Sequence, residues 1–360
     1  MNDRTPEAKT RRRLLRAAAA TGAISCAQWP LIKLAAAADA EHKMIFAHTF
    51  TQATEKYVVS GISRFKELAE KYSDGRLAVD VHEGGKLGGQ SELPQKLQYG
   101  AIQACQLSMQ NFTPFAEIYN ILDFPFMFAS NEAFERFLGD PVFLGSRLMA
   151  DPAKRGMHVL RGMWANTGYR VFCTSTRAAR EIRTPQDLKG LKVRVTNSKI
   201  EQQAFALTPA SPVSVAWAET YQAMQQGAVD GLHVGLGPLS ANRLQEVVST
   251  GTRLNMSFNA HVAMVSRKWF EQLPAAVQSA ITRAAAESWD YQQREQAIAD
   301  ARMWNDWKQA GIEVLDLSPA EHAQWVEAVG HQRPEWNRWK DRYGRDTYEQ
   351  ILAFVRNNRA

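Results

Sequence analysis

Hydrophobic and polar positions alternate along the chain with two periods, one typical of strands and one typical of helices. Short apolar runs predict the first buried strands at 43–50, 77–82, 101–109 and 157–163. Apolar residues three and four positions apart predict helices at 56–72, 93–99, 131–138 and 141–149. Strands that alternate with helices are typical of a parallel α/β architecture.

A second unit of the same kind begins near Gly168. It contains a strand pattern at 192–195 and a helix pattern that ends at Gly227. A long apolar run at 255–266 predicts a strand that returns the chain to the first unit. The stretch from 274 to 310 has neither Pro nor Gly after its first residue, so it predicts one helix of about 50 Å, long enough to bridge two lobes. The Trp-rich tail at 325–339 predicts core packing.

The segment from Thr184 to Asn197 contains the clearest junction between a strand and a helix. Arg194 lies at the end of the predicted strand, and Thr196, Asn197 and Ser198 are each suited to cap the helix predicted at 199–207. A guanidinium beside the free N–H groups of a helix N-terminus is suited to bind a carboxylate. The alternative is that Arg194 pairs with a neighbouring acid of the protein.

A second arginine, Arg170, enters an apolar strand just upstream, in the sequence GYRVF. Two arginines on successive strands of one lobe could converge on a single anion. The pattern therefore predicts an anion site that Arg170 and Arg194 share.

The net charge of +6 belongs mostly to the first forty residues. They hold seven Lys and Arg residues against three Asp and Glu, which leaves 36 basic and 34 acidic residues, a net of +2, for the remainder. This balance gives no reason to expect nucleic-acid binding.

The N-terminal segment is typical of an export signal. Consecutive arginines in TRRRLLR precede an Ala-rich segment and resemble a twin-arginine signal. Ala38-Asp39-Ala40 fits a cleavage site, so we expect a periplasmic chain that starts at Glu41. The apolar stretch is interrupted, which disfavours a membrane anchor. Ala23 stands where lipoproteins usually carry a branched residue before the modified cysteine, which disfavours lipidation of Cys26.

The sequence contains no pattern that predicts a metal, a cofactor or catalysis. Cys105 and Cys173 lie in apolar runs and are expected to be buried free thiols. The histidines lack zinc spacing, the Gly-rich loop EGGKLGGQSE lacks phosphate-loop spacing, and GxSxG is absent. His48, His82, His233 and His261 are available to a periplasmic hydrolase, but the sequence pairs none of them with a nucleophile.

Several motifs in order resemble the DctP-type solute-binding proteins of TRAP (tripartite ATP-independent periplasmic) transporters. They are LGGQSELPQKLQYGAIQ, LDFPFMF, GYRVF, LKGLKVRVTNS, AETYQAMQQGAVDG and VSRKWFEQLP. The resemblance covers almost all of the mature chain and implies a protein that closes two lobes around an organic acid and delivers it to membrane subunits. The same motifs are compatible with a receptor that delivers its ligand to a sensor instead of a transporter. We expect a monomer in either case.

The same resemblance implies which residues contact the solute. Arg194 would make the salt bridge to its carboxylate, helped by Arg170, Asn197 and Trp217. Further candidates for ligand binding are His48, Ser108, His233 and Asn259. Val234 stands where the family often carries an asparagine, so the solute is expected to be less hydroxylated or more apolar than a sugar acid. The segment from Trp164 to Arg170 is one residue longer than the family pattern.

The implied fold is a two-lobed α/β clamshell with hinge strands and a long helix that spans both lobes. The signal peptide would occupy 1–40. Lobe I would contain 41–167 and 258–297, and lobe II would contain 168–257 and 298–360, with crossovers near Gly168, Phe258 and Ala297.

Overall fold

The computed structural model describes residues 40–161 and 165–358. The predicted signal peptide, Cys26 and Trp164 lie outside these residues. The strands are β1 (His42–Ala47), β2 (Leu77–His82), β3 (Ala104–Ser108), β4 (Met157–Val159), β5 (Ala165–Ser175), β6 (Lys192–Val195), β7 (Ser211–Ser214), β8 (Gly231–Gly235), β9 (Val248–Arg253), β10 (Phe258–Ser266) and β11 (Glu313–Asp316).

The α-helices lie between and after these strands. They are α1 (Ile62–Tyr72), α2 (Leu93–Gln98), α3 (Met109–Phe112), α4 (Asn131–Gly139), α5 (Pro141–Leu144), α6 (Arg147–Lys154), α7 (Lys199–Ala206), α8 (Thr220–Gln226), α9 (Leu236–Ala241), α10 (Arg267–Gln272), α11 (Ala275–Gln309), α12 (Pro319–Val329), α13 (Asn337–Tyr343) and α14 (Arg345–Asn357). Short 3₁₀ turns include 117–123, 185–188 and 217–219.

Two sheet regions meet at two long strands, β5 and β10. The first region has the order β2-β1-β3-β10, with β1 parallel to both of its neighbours and β10 antiparallel to β3. The second has the order β5-β8-β6-β7, and β9 also pairs with β5 while β11 pairs with β9. β5 pairs with β10 through its first half and with β8 through its second half, so it belongs to both regions.

Helix α11 joins the two sheet regions, as the absence of Pro and Gly predicted. Its first half packs through Val277 and Ile281 on the core of the first region, beside Phe65 of α1. Its second half packs through Met303 and Trp307 on the core of the second region. The 35 residues of α11 extend about 50 Å, enough to reach both cores.

The final helices pack on the core of the first region. Trp336 meets Phe124 with ring centroids 5.5 Å apart, and Phe354 meets Phe137 at 5.4 Å. The sequence predicted that all of 298–360 belongs to lobe II, whereas the last part of this range packs on the first region. The aromatic face of α14 is complementary to the aromatic cluster around Phe124, and burial against that cluster decides its position.

Most predicted elements are confirmed, with differences at their ends. Helix α1 begins at Ile62 and not at residue 56, because Gly61 has a φ of 71° that interrupts the helix before it. Strand β4 ends at Val159 instead of residue 163. Gly227 ends α8, as predicted, and it adopts the left-handed conformation.

Two further predictions concern burial. Cys105 and Cys173 are free and fully buried, and burial raises the pKa of both thiols. Trp325 and Trp336 of the Trp-rich tail are also fully buried, so this tail contributes to the core. Within the described ranges, no helix combines the length and the apolar composition needed to cross a lipid bilayer.

Candidate functional site

A narrow cavity lies where the two sheet regions meet, and residues from both regions line it. It has a volume of about 20 Å³, which has room for about one water molecule. The lining residues are Phe50, Gln90, Ser108, Asn111, Arg170, Arg194, Thr196, Trp217, Val234, Pro238, Asn259 and His261. The cavity therefore combines two guanidinium groups with amides, hydroxyls and a few apolar side chains.

Arg194 lies at the end of β6, before the N-terminus of α7. Ser198 caps this helix by accepting a hydrogen bond from the backbone N–H of Glu201. The Nε of Arg194 donates to the carbonyl oxygen of Val215 at 3.1 Å, and its guanidinium carbon lies 5.5 Å from the centre of the Trp217 ring. Arg194 is only 2% exposed, and burial lowers its pKa to about 10, so it remains charged at neutral pH.

Arg170 lies on β5, opposite Gly235 of β8, and is equally buried. Its Nη1 donates to Oε1 of Glu201, which lies in the first turn of α7. Burial alone would raise the pKa of Glu201, but the charge of Arg170 and the neighbouring His233 outweigh this effect and lower the pKa to about 2. Glu201 is therefore ionised and forms a buried ion pair with Arg170.

His233 and Asp123 lie near this ion pair and are also buried. Nδ1 of His233 is 3.8 Å from Oε1 of Glu201, and burial lowers the pKa of the imidazole, which favours its neutral form. Oδ1 of Asp123 accepts a hydrogen bond from Gln110 at 3.1 Å, and burial raises its pKa. Neither residue lines the cavity.

The opposite wall carries a group of fixed polar side chains. Oε1 of Gln90 accepts hydrogen bonds from the backbone N–H of Ser108 and from Nδ2 of Asn111, both at 3.0 Å. These contacts connect the Gly-rich loop after β2 to the end of β3. They hold the amide of Asn111 and the hydroxyl of Ser108 at the cavity wall.

The base of the cavity depends on a close approach between β8 and β10. Nδ2 of Asn259 donates to Oγ1 of Thr167 at 2.9 Å. A Cβ atom at Gly235 would lie 2.6 Å from that oxygen and 2.7 Å from Cβ of Asn259, so only glycine fits there. Beside it, His261 packs on Phe50 with ring centroids 4.8 Å apart, and burial lowers the pKa of His261 to about 3.

The structure brings five of the eight proposed ligand-binding residues to this cavity. They are Arg194, Arg170, Trp217, Ser108 and Asn259. The others are not among the lining residues, and their assignment as ligand contacts stays a prediction.

His48, His233 and Asn197 each lie in a different environment outside the cavity lining. His48 packs beside Phe50, with ring centroids 6.5 Å apart. His233 packs on Phe205, with ring centroids 5.7 Å apart. Asn197 is half-buried in the turn before the N-cap of α7. In this turn Thr196 lines the cavity in place of Asn197.

Sequence reasoning did not propose several of the lining residues as ligand contacts. Gln90, Asn111 and His261 come from three different segments of the first region, and Phe50 and Pro238 add apolar surface. Gln90 lies in the Gly-rich loop and Asn111 follows the end of a strand, and binding residues are common at both kinds of position. These positions were the sequence signal that could have identified the two residues.

A model of the bacterial extracellular solute-binding protein family 7 matches residues 46–338. Relatives include the C4-dicarboxylate-binding periplasmic protein DctP of Rhodobacter capsulatus, 29% identical over 310 residues, which are 86% of this chain and 89% of the relative. The 2,3-diketo-L-gulonate-binding periplasmic protein YiaO of Escherichia coli is 25% identical over 293 residues, 81% of this chain and 86% of the relative.

A similar solved structure is a TRAP periplasmic solute-binding protein from Shewanella oneidensis with bound succinate. It has a TM-score of 0.78 and 25% identity, and the match covers 87% of this chain and 99% of that one. The predicted family, the two-lobed α/β fold and the class of solute-binding protein rather than enzyme are thereby confirmed.

Proposed function

We propose that this chain, which belongs to family 7 of the bacterial extracellular solute-binding proteins, captures a small organic acid by binding its carboxylate to Arg194. The observation that carries the proposal is the state of the Arg194 guanidinium. Among the described residues, Arg194 forms no salt bridge, although it is 2% exposed. A buried charge without a partner is costly, and a ligand carboxylate would compensate it.

Trp217 supports the same role for Arg194. Its ring lies 5.5 Å from the guanidinium carbon, which is within the range of a cation–π contact. The contact and the bond to Val215 fix the orientation of the planar guanidinium. A fixed fork of N–H donors matches the two oxygens of a carboxylate.

Closure of the two lobes would complete the site. The backbone N–H of Lys199, at the start of α7, donates to Oδ1 of Asn120 in the 3₁₀ turn of the first region at 3.0 Å. This bond connects the two sides of the cleft at the N-terminus of α7. Closure removes water from the pair of Arg194 and ligand carboxylate, which strengthens their attraction and favours the closed state.

Delivery of the acid to the membrane subunits of a TRAP transporter is the proposed next step. The proposal rests on family membership and on the similarity to TRAP periplasmic solute-binding proteins. Export through the twin-arginine route, with cleavage before Glu41, and a monomeric state complete the proposal.

A ligand screen on the chain from Glu41 to Ala360 tests the proposed function. The melting temperature is measured with a panel of small mono- and dicarboxylates, each paired with its uncharged amide. At least one acid is expected to raise the melting temperature, because a ligand that binds only the folded state stabilises it by about 2.7 kcal/mol at 100 times its Kd. Its uncharged amide is expected to have no effect. A panel in which no acid stabilises the chain would contradict the proposal.

A further inference from the structure

The two arginines of the cavity differ in the charge that they can offer to a solute. Arg170 forms a buried ion pair with Glu201, whose side chain is only 2% exposed. Among the described residues, Arg194 forms no ion pair, and its single hydrogen bond to protein is the one to the carbonyl of Val215. Of the two arginines, Arg194 is therefore the one whose charge no acidic residue in the described ranges pairs with.

Glu201 is held in place and cannot easily turn away from Arg170. Its Oε2 accepts hydrogen bonds from the backbone N–H of Thr196 at 2.7 Å and from the hydroxyl of the same residue. Its own backbone N–H is bonded to the hydroxyl of Ser198, the N-cap of α7. The carboxylate of Glu201 is therefore fixed against Arg170, which lines the cavity.

The remaining titratable groups around the cavity add no positive charge at neutral pH. Burial lowers the pKa of His48 to about 4 and that of His261 to about 3, so both imidazoles are neutral. Burial also lowers the pKa of His233. With Asp123 protonated, the group of charges consists of two guanidiniums and Glu201, a net of +1. With Asp123 ionised the net is zero. Burial favours the protonated form of Asp123, so the cleft can balance the charge of at most one solute carboxylate.

We propose that Glu201 restricts this cleft to solutes with a single negative charge, so that its ligand is a small monocarboxylate whose remaining groups are uncharged. The inference rests on the proposed function, since it takes Arg194 as the residue that binds the carboxylate. The inference goes beyond that function because it specifies the charge of the solute, which the contact with Arg194 alone does not determine.

A second carboxylate would find no suitable partner in the cleft. It would lie in an enclosed space where the other guanidinium is already neutralised by Glu201, and an uncompensated buried carboxylate is strongly disfavoured. The other lining residues offer the amides of Asn111 and Asn259 and the hydroxyl of Ser108, which suit hydroxyl, carbonyl or amide groups. Phe50 and Val234 suit short apolar parts of the same molecule.

Succinate and succinamate form a matched pair of probes for this inference. They have nearly the same size and shape, but succinate carries two negative charges at pH 7.5 and succinamate carries one. Calorimetric titration of the wild-type chain from Glu41 is expected to show at least tenfold tighter binding of succinamate. Equal or tighter binding of succinate would overturn the inference.

The variant Glu201→Gln tests whether Glu201 is the residue responsible. It removes the negative charge and frees Arg170, so the ratio of the two dissociation constants is expected to move at least tenfold in favour of succinate. Glu181→Gln is the matched control, because Glu181 is exposed and pairs only with the exposed Arg183 in the described structure. A ratio for Glu201→Gln that equals that of the wild type would overturn the role of Glu201.

The outcomes separate this inference from the proposed function. If acids bind but succinate binds at least as well as succinamate, the charge restriction fails while the proposed function stands. If no acid binds, the proposed function fails and the inference fails with it. If Glu201→Gln does not fold, the comparison in the wild-type chain decides alone.

Discussion

Replacing Arg194 with alanine is expected to remove most of the affinity for a carboxylate while leaving the ligand-free fold intact. In the described structure the side chain donates one hydrogen bond, to the carbonyl of Val215, and it has no acidic partner. Its burial lowers its pKa to about 10, which shows that the surroundings disfavour the charge. Removing this charge therefore does not destabilise the ligand-free chain through a lost ion pair.

The loss of affinity follows from the carboxylate that would remain in the cleft without a cation. Removing one partner of a buried, hydrogen-bonded charge pair costs about 2–5 kcal/mol. Since 1.4 kcal/mol corresponds to a factor of ten, the alanine variant is expected to bind about thirtyfold more weakly or worse. Arg194→Lys keeps the charge but loses the planar fork, so its loss is expected to be smaller.

Arg170→Ala provides the contrast, because it leaves Glu201 as a buried carboxylate without its partner. Breaking a buried ion pair in this way costs about 3–5 kcal/mol of folding stability. The variant at Arg170 is thus expected to lower the melting temperature of the ligand-free chain, whereas the variant at Arg194 is not.

Calorimetric titration with an acid from the screen, together with thermal unfolding of each ligand-free variant, measures both effects. Arg64→Ala is the control, because Arg64 is exposed and pairs with Glu67 on the surface of α1. An affinity of Arg194→Ala within threefold of the wild type would refute the role of Arg194 as the anchor.

Three further predictions concern other parts of the chain. Trp217→Ala is expected to weaken acid binding about three- to thirtyfold, because a cation–π contact with Arg194 is lost. If the ligand-free variant unfolds and its folded fraction binds the acid as well as the wild type, Trp217 is an ordinary core residue. Asp300→Asn is expected to raise the free energy of unfolding by about 1–2 kcal/mol at pH 8, because burial raises the pKa of Asp300 to about 6 from 3.8. Urea unfolding should show this gain disappearing as the pH falls from 6 to 4, where the folded-state carboxyl becomes protonated; a gain that is independent of pH would contradict it. Replacing Arg11 and Arg12 with lysine is expected to leave precursor in the cytoplasm, and an unchanged periplasmic yield of the chain from Glu41 would exclude the twin-arginine route.

The order of elements was predictable because local patterns decide it. The capping residues before α7, the terminating Gly227 and the uninterrupted helix α11 depend on residues close in sequence. The position of α14 was not predictable in this way. Its apolar stripe shows that one face is buried, but the choice of the aromatic cluster around Phe124 depends on contacts more than 200 residues apart.

The same distinction between local patterns and long-range contacts applies to the residues of the candidate site. Arg170 and Arg194 were accessible to sequence reasoning because each occupies a strand position with an identifiable chemical role. Glu201 was not, because a glutamate three residues after the serine N-cap is also the pattern of an ordinary capping box. In the structure its carboxylate bonds to Thr196 and Arg170 instead, and this choice requires β5 to lie next to α7.

The most direct test of the account is a crystal structure of the chain from Glu41 with a bound acid from the screen. Both carboxylate oxygens are expected within about 2.7–2.9 Å of the guanidinium nitrogens of Arg194, with the Trp217 ring beside them and the Arg170–Glu201 pair intact. A ligand whose carboxylate lies on other residues of the cleft, with Arg194 making no contact to it, would contradict the central claim.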